Sequence, residues 1–95
     1  MTIFIPSPLR PFAAGKDAIE VDAPTVAQSL EALTAAHPDL RKHLFTTDGK
    51  LRAFVNLYLN DEDVRYLPEK EATAVTAADT LSIIPSIAGG NQPQP

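Results

Sequence analysis

The chain has 95 residues, of which 44% are apolar, and it carries a formal net charge of −4. This length suits one small domain, and the apolar content is typical of a packed core rather than of a disordered segment. The absence of cysteine excludes disulfides, thiolate metal sites and cysteine nucleophiles. The charge argues against nucleic acid and anionic membranes and favours a partner with a basic docking face. No signal peptide or membrane span is predicted, so the expected location is the cytoplasm.

Two short strands are predicted near the start of the chain. Residues 2–5 are mostly apolar or β-branched and are stopped by Pro6, whereas residues 18–22 alternate apolar and acidic side chains. The segment between them, residues 7–17, contains prolines and a glycine, which predict a long loop. A strand, a loop and a second strand at this distance predict a hairpin.

One main helix is predicted after these strands. Thr25 and Gln28 fit a capping box, in which both side chains accept hydrogen bonds from free backbone N–H groups at the helix start. Pro38 ends the helix, because proline disfavours helical geometry in the residue before it. The apolar residues of one helix face are Val26, Leu30 and Leu33. A further short helical turn is predicted at residues 40–44.

The clearest predicted strand spans residues 53–59. Its alternation places Val55, Leu57 and Leu59 on one face, and Phe54, Asn56 and Tyr58 on the other. Beyond it we predict a polar turn at residues 60–63, a short return strand at 64–66 and an irregular crossing segment at 68–78. The last strand spans residues 81–84, with Ser82 and Ile84 on the same face.

The predicted order β-β-α-β-β-β defines an α+β layer architecture. The order is that of the β-grasp (ubiquitin-like) fold, a mixed sheet of four to five strands packed on one main helix. Residues 1–85 would form this domain, and its second sheet face would have no layer to cover it. We therefore predict a partner-binding face that consists of Phe54, Asn56, Tyr58, Ser82 and Ile84. The alternative is that Phe54 or Tyr58 folds over the edge of the core.

Two other groups of polar residues are interpreted as structural. The acidic residues 61–63 lack the ligand spacing of a calcium loop and are interpreted as a solvated turn. His37 and His43 have no acid or nucleophile beside them in a recognisable motif. We predict no catalytic side chain and no metal site in this chain.

Residues 52–65 and 78–90, and more weakly 9–11, resemble the ThiS/MoaD family of ubiquitin-like sulfur carriers. Within that family the resemblance is greatest to the CysO-type carriers of cysteine biosynthesis. A diglycine alone is common, and composition alone would favour a linker for Gly89 and Gly90. The pattern Ile-x-Pro-x-Ile-x-Gly-Gly, placed directly after the last predicted strand, is much more specific.

The resemblance implies a chemistry for Gly90. In this family the carboxylate of the terminal glycine is adenylated with ATP by an E1-like adenylyltransferase. Sulfide or persulfide sulfur then displaces AMP and leaves a thiocarboxylate. The carrier binds no cofactor itself, and residues 86–90, with Ile87, Ala88 and Gly89, would form a flexible tail that enters the enzyme. Glycine suits this role because it has no Cβ to obstruct a narrow channel.

Residues 91–95 depart from the family pattern, in which the chain ends at the diglycine. With this extension present, Gly90 has an amide where a free carboxylate is needed, and an amide cannot be adenylated. We interpret the chain as a precursor that a protease cuts between Gly90 and Asn91. The resemblance implies a zinc metalloprotease of the JAMM type for this step. The alternative is an unprocessed paralogue.

Three functions share these features. The first is a sulfur carrier, the second a ubiquitin-like modifier conjugated through Gly90 to lysines of other proteins, and the third the small subunit of molybdopterin synthase. The resemblance of residues 56–65 to the CysO-type carriers favours the carrier, and it implies a cysteine-synthase-like enzyme as the sulfur-accepting partner. Thiamine, molybdopterin and thio-siderophore synthesis stay open as other outlets.

Overall fold

The last strand lies at the centre of the sheet. In the computed structural model, which describes residues 1–85, the strands are β1 (Thr2–Phe4), β2 (Ala18–Glu20), β3 (Val55–Leu59), β4 (Glu62–Asp63) and β5 (Thr80–Pro85). They form one five-stranded sheet in the order β2-β1-β5-β3-β4. Strand β5 runs parallel to β1 and antiparallel to β3, and the other two pairs are antiparallel. This mixed sheet confirms the predicted β-grasp order and its α+β class.

The core lies between one face of the sheet and the helices α1 (Val26–Ala36) and α2 (Arg41–Leu44). The predicted alternation and the predicted helix stripe both point into it. The following side chains are at most 3% exposed: Ile3, Leu57, Leu81 and Ile83 from the strands, and Val26, Leu30, Leu33, Leu40 and Leu44 from the helical segments. Burial of each such side chain contributes about 1.5–3 kcal/mol. The other face of the sheet has no second layer among residues 1–85.

The N-terminal cap of α1 contains one of the two hydrogen bonds that the capping box predicts. The Gln28 N–H donates to the Thr25 hydroxyl at 3.2 Å, which is the expected cap bond. The Thr25 hydroxyl in turn donates to the Gln28 side-chain oxygen at 3.1 Å, so that oxygen does not reach a backbone N–H. The helix ends at Ala36, immediately before His37 and Pro38, as the proline predicts.

The prediction of a long loop at residues 7–17 was wrong in its first half. Ser7–Ala13 is a 3₁₀ helix, and its residues Leu9 and Ala13 are buried in the core. Pro8 stands in its first turn, where the fixed proline φ fits a helical start and no N–H is needed. Pro8, which predicts a loop by composition, therefore stands at the start of a short helix here, and Pro11 lies inside that helix.

The predicted return strand at residues 64–66 was also wrong. The return strand is β4 (Glu62–Asp63), and Val64–Tyr66 is a 3₁₀ turn. Asn60 and Asp61 both have positive φ, of 50° and 79°, which is the geometry of a two-residue hairpin turn. The turn is thus shorter than predicted, and the strand begins directly after it. Strands β1, β2 and β3 are likewise shorter than predicted.

A hydrogen-bond network joins this hairpin to the start of β5. The Asn60 side-chain amide donates to the Asp79 carboxylate at 2.9 Å, and the Thr80 N–H donates to the Asn60 side-chain oxygen at 2.9 Å. The Thr76 N–H donates to the second Asp79 oxygen at 2.7 Å. The bonds that Asp79 accepts, from Asn60 first and then from Thr76, lower the pKa of its carboxyl group. The network fixes where β5 enters the sheet.

Candidate functional site

The described part of the chain finishes at the end of β5. This strand pairs with β3 up to its last residue, Pro85, which lies opposite Val55. Proline has no N–H to donate, so it suits the final position of a ladder. The predicted tail and cleavage residues, Ile87, Ala88, Gly89, Gly90 and Asn91, lie outside the described residues. Their proposed root, Pro85, is thus held by the central strand of the sheet.

Four of the five predicted partner-face residues lie on the uncovered face of the sheet. The register places Tyr58 opposite Ser82, and Asn56 opposite Ile84. The two pairs are therefore adjacent rows on β3 and β5, and the Ile84 row lies next to Pro85. Ile84 is 47% exposed, whereas the other three side chains are half-buried. The sequence correctly predicted this shared face, and its partner role stays a prediction.

Phe54 differs from the prediction. It precedes β3 and lies in a turn, where the Val55 N–H donates to the Arg52 carbonyl at 3.0 Å. The alternation that assigned Phe54 to the open face therefore does not extend to it. Its side chain is 38% exposed. It stands at the end of the sheet where β5 finishes, one residue before the Val55 and Pro85 pair.

Phe4 is a face residue that the sequence reasoning missed. The register places Phe4 opposite Ser82 on the β1 side, so that Ser82 lies between Phe4 and Tyr58. Phe4 is 46% exposed, although it belongs to a strand whose other apolar residue, Ile3, is fully buried. The alternation of residues 2–5 carried this signal. The alternation places Phe4 beside Ser82 only once the pairing of β1 with β5 is known, and local sequence patterns do not reveal that pairing.

A charged pair borders the open face at its β4 edge. Asp63 lies opposite Tyr58, and its carboxylate accepts three bonds from Arg65: from the backbone N–H at 2.9 Å, from Nε at 3.2 Å and from Nη2 at 2.8 Å. The Arg65 side-chain bonds lower the pKa of the Asp63 carboxyl, and the same bonds raise the pKa of Arg65. The Arg65 guanidinium also lies 5.7 Å from the centre of the Tyr66 ring. Asp63 is therefore engaged in an ion pair rather than free in a solvated turn.

Residues 1–85 contain no clustered metal ligands and no membrane-spanning helix. In that range no group of three or more His, Cys, Asp or Glu side chains is placed to hold a metal ion. No helix of the same range has the length and apolar character needed to cross a bilayer. His43 stacks on Phe12 with ring centres 4.1 Å apart, which is a packing role.

The mixed five-stranded sheet packed on α1 defines a ubiquitin-like β-grasp domain. The chain belongs to the ThiS family of ubiquitin-like sulfur carriers, whose model matches residues 3–90. Members of this class are substrates and carriers rather than enzymes. The matched range contains the diglycine and, apart from Thr2, every residue of the described strands.

Two relatives and one solved structure show how close the similarity is. The sulfur carrier protein CysO of Mycobacterium tuberculosis is 36% identical over 92 residues, which cover 95% of this chain and 98% of the relative. The small archaeal modifier protein 1 of Haloferax volcanii is 38% identical over 80 residues, which cover 81% of this chain and 86% of the relative. A chain of the Amycolatopsis orientalis BexX/CysO complex superposes with a TM-score of 0.82 at 35% identity, covering 94% of this chain and 98% of that one.

Proposed function

We propose that this protein carries sulfur as a thiocarboxylate on Gly90 and donates it in cysteine biosynthesis, in the cytoplasm. The observation that supports this most is the position of the tail root. The central strand ends at Pro85, and Gly90 follows five residues later. Five extended residues span roughly 16 Å. A carboxyl group at Gly90 can therefore enter an active site while the domain stays outside.

The first step of the proposal is unmasking. A JAMM-type zinc metalloprotease adds water to the Gly90 carbonyl, the Gly90–Asn91 amide bond breaks, and residues 91–95 leave with the new amino terminus. Gly90 is left with a free carboxylate. The three parts of the chain thus have separate roles. Residues 1–85 bind the partner, residues 86–90 bring Gly90 into its active site, and residues 91–95 keep Gly90 unreactive until they are removed.

The second step is activation by an E1-like adenylyltransferase. The Gly90 carboxylate attacks the α-phosphorus of ATP, pyrophosphate leaves, and an acyl adenylate forms. Hydrosulfide then attacks the acyl carbon, the bond to AMP breaks, and the thiocarboxylate remains. The carrier supplies no acid or base to either exchange. Glycine at this position lets the nucleotide approach the carboxyl carbon without a side chain in the way.

The proposed partner-binding face comprises Asn56, Tyr58, Ser82 and Ile84. Its support is geometric: an exposed apolar side chain, Ile84, stands one residue before the root of the tail, on a sheet face with no second layer among residues 1–85. A partner that covers Ile84 and Tyr58 removes apolar area from water and holds the tail root at a fixed distance. Phe54 is exposed at the same end of the sheet.

Cysteine is the proposed outlet because the CysO relative covers nearly the whole chain at 36% identity. The sulfur acceptor is then a cysteine-synthase-like enzyme that takes the thiocarboxylate sulfur. A complex of BexX with CysO in Amycolatopsis orientalis illustrates that a carrier of this fold is held by a partner protein. ATP is consumed by the activating enzyme and is not a cofactor of this chain.

A second candidate function is conjugation to other proteins. It is favoured by the modifier protein of Haloferax volcanii, which is 38% identical over 80 residues. Carrier and modifier share the adenylation step and differ in the nucleophile that follows. For the carrier the nucleophile is sulfide, and for the modifier it is a lysine amine of another protein.

Intact-mass spectrometry of the protein recovered from its native cells tests the proposal. We expect a species that ends at Gly90, part of which shows the mass increase of one oxygen-to-sulfur exchange. The chain should be recovered by antibody rather than by an N-terminal tag, because Met1 is 3% exposed and its amino group donates to the Val21 carbonyl at 3.0 Å.

A variant that lacks Gly90 is the matched control, since it keeps every described strand and helix. It should give neither the sulfur-bearing species nor lysine-linked adducts. Adducts that depend on Gly90, in the absence of the sulfur-bearing species, would favour the modifier. Recovery of the 95-residue form alone, in active cells, would refute the unmasking step.

A further inference from the structure

The charged residues of the domain are separated along the axis of β5. We call the end of the sheet at Pro85 the tail end, and the opposite end, where β5 begins at Thr80, the far end. β3 begins at the tail end, because Val55 lies opposite Pro85. The 3₁₀ helix Ser7–Ala13 follows β1 at the tail end, and α2 lies against it through the stacked rings of Phe12 and His43.

The tail end is basic. Five cationic side chains belong to the segments that lie there: Arg10, Lys16, Arg41, Lys42 and Arg52. Two are fixed by hydrogen bonds, from Arg10 Nε to the Ile5 carbonyl at 2.9 Å and from Arg52 Nε to the Lys42 carbonyl at 2.8 Å. The carboxylates of the same segments are Asp17, Asp39 and Asp48, the last in the turn between Lys42 and Arg52. Cations therefore outnumber carboxylates around the root of the tail.

The far end is acidic. It carries the carboxylates that end or follow β2, close the β3–β4 hairpin and precede β5: Glu20, Asp22, Asp61, Glu62 and Asp79. Within residues 1–85 these turns contain no lysine or arginine, although the amino group of Met1 lies 3.9 Å from Glu20. Residues 86–95 contain no charged side chain. The net charge of −4 is thus unevenly distributed, and the domain has an electric dipole along the central strand.

We infer that the tail end docks against an acidic rim around the active site that receives Gly90. The inference rests on the proposed function, because it needs a partner that acts on Gly90. Five extended residues reach roughly 16 Å from Pro85, so the partner surface must approach the tail end rather than the far end. Physiological salt screens charges beyond about 8 Å. The six residues of β5 span about 20 Å, and the partner therefore senses the basic end and little of the acidic one.

This arrangement orients the carrier as it approaches. A negative rim attracts the tail end and repels the far end, which favours encounters in which the tail arrives first. The net charge of this chain alone predicts a basic docking face on the partner. The distribution of the charge predicts the opposite, an acidic face, for the enzyme that binds the tail. Residues 86–89 carry no charged side chain, so the electrostatic attraction to the partner comes from the domain.

The test compares two double variants of residues 1–90 with the same change in net charge. Lys16→Glu/Lys42→Glu reverses two exposed cations of the tail end. The control, Lys50→Glu/Lys70→Glu, reverses two exposed cations on the flank. Lys50 lines a groove together with Arg41, Glu31 and Glu71, so two carboxylates offset its charge there. The substrate assay is ATP–pyrophosphate exchange by a purified E1-like adenylyltransferase that adenylates the unsubstituted residues 1–90. Thermal melts confirm that both variants are folded.

For the tail-end variant we expect kcat/KM to fall by about tenfold or more at low ionic strength, with kcat unchanged. The loss should shrink towards twofold in about 0.5 M salt. The flank variant should stay within about twofold of the unsubstituted chain at every salt concentration. Equal losses in both variants, or a gain in the tail-end variant, would overturn the inference and leave the proposed function intact. If no E1-like enzyme adenylates residues 1–90, the proposed function fails, and this inference fails with it.

Discussion

Ile83 and Ile84 are adjacent residues of β5 that offer a matched test of the open face. Ile83 is 3% exposed and belongs to the core, whereas Ile84 is 47% exposed and lies on the other face, beside the root of the tail. An alanine substitution removes the same atoms from both. Any difference between the two variants therefore reports the surroundings of the side chain rather than its chemistry.

The expected losses in the free energy of unfolding differ by a factor of two or more between the two variants. Ile83→Ala leaves a cavity in the core and should lower the free energy of unfolding by about 2–5 kcal/mol. Ile84→Ala removes a side chain about half of whose area is already in water, and no closed cavity forms. Its cost should be about half of the transfer term for full burial, or roughly 1 kcal/mol. If docking covers the exposed half of Ile84, the variant also loses about 1 kcal/mol of binding, a KM increase of about fivefold.

Urea unfolding followed by circular dichroism gives the stabilities, and adenylation kinetics with residues 1–90 give KM. Ile83→Val is the milder companion, with an expected loss of about 0.5–1.5 kcal/mol, in case the alanine variant is unfolded. Equal destabilisation by Ile83→Ala and Ile84→Ala would show that the assignment of faces is wrong. Unchanged stability and unchanged KM for Ile84→Ala would refute the docking role of this face.

Three further predictions concern the scaffold. Because hydrogen bonds lower the pKa of Asp79, its contribution to stability should be complete above about pH 5 and should be lost as the pH falls below about 4, so the difference in melting temperature between the wild type and Asp79→Asn should narrow in acid. Thr25→Ala removes the cap of α1 and should cost about 0.5–2 kcal/mol by urea unfolding. Gly49 has a φ of +83° in open space, so Gly49→Ala should cost about 1–2 kcal/mol by the same measurement.

Each of these has its own control. A constant difference between wild type and Asp79→Asn at every pH would contradict the assigned linkage. Thr25→Ser keeps a hydroxyl acceptor and should keep most of the stability, so an equal loss in the serine variant would point away from the cap. Gly49→Asn should cost less than Gly49→Ala, since asparagine tolerates positive φ better, and the reverse order would argue against backbone strain as the cause.

Local periodicity predicted the parts of the site that lie within single strands. The alternation of β3 and β5 correctly placed Asn56, Tyr58, Ser82 and Ile84 on one face, because a strand has only two faces and the apolar set selects one. Phe54 was assigned by the same rule but lies in a turn before the strand. Periodicity does not show where a strand begins, and the rule fails at its ends.

Features that depend on distant segments could not be predicted in this way. Phe4 reaches the open face because β1 pairs with β5, and residues far apart in sequence decide that pairing. The helix at Ser7–Ala13 forms because Leu9 and Ala13 are buried in the core, which outweighs the loop signal of its prolines. The separation of charge is also invisible in the sequence, because each end of the sheet gathers residues from several segments.

The central position of β5 determines how the domain responds to a pull on its C-terminal segment. A force on Pro85 along the strand acts on two neighbours at once, β1 on one side and β3 on the other. Both ladders are then loaded in shear, and their hydrogen bonds must break together rather than one after another. An edge strand such as β2 could instead be peeled away bond by bond. A partner that pulled on the proposed tail would therefore meet a domain that resists unfolding from its C-terminal strand.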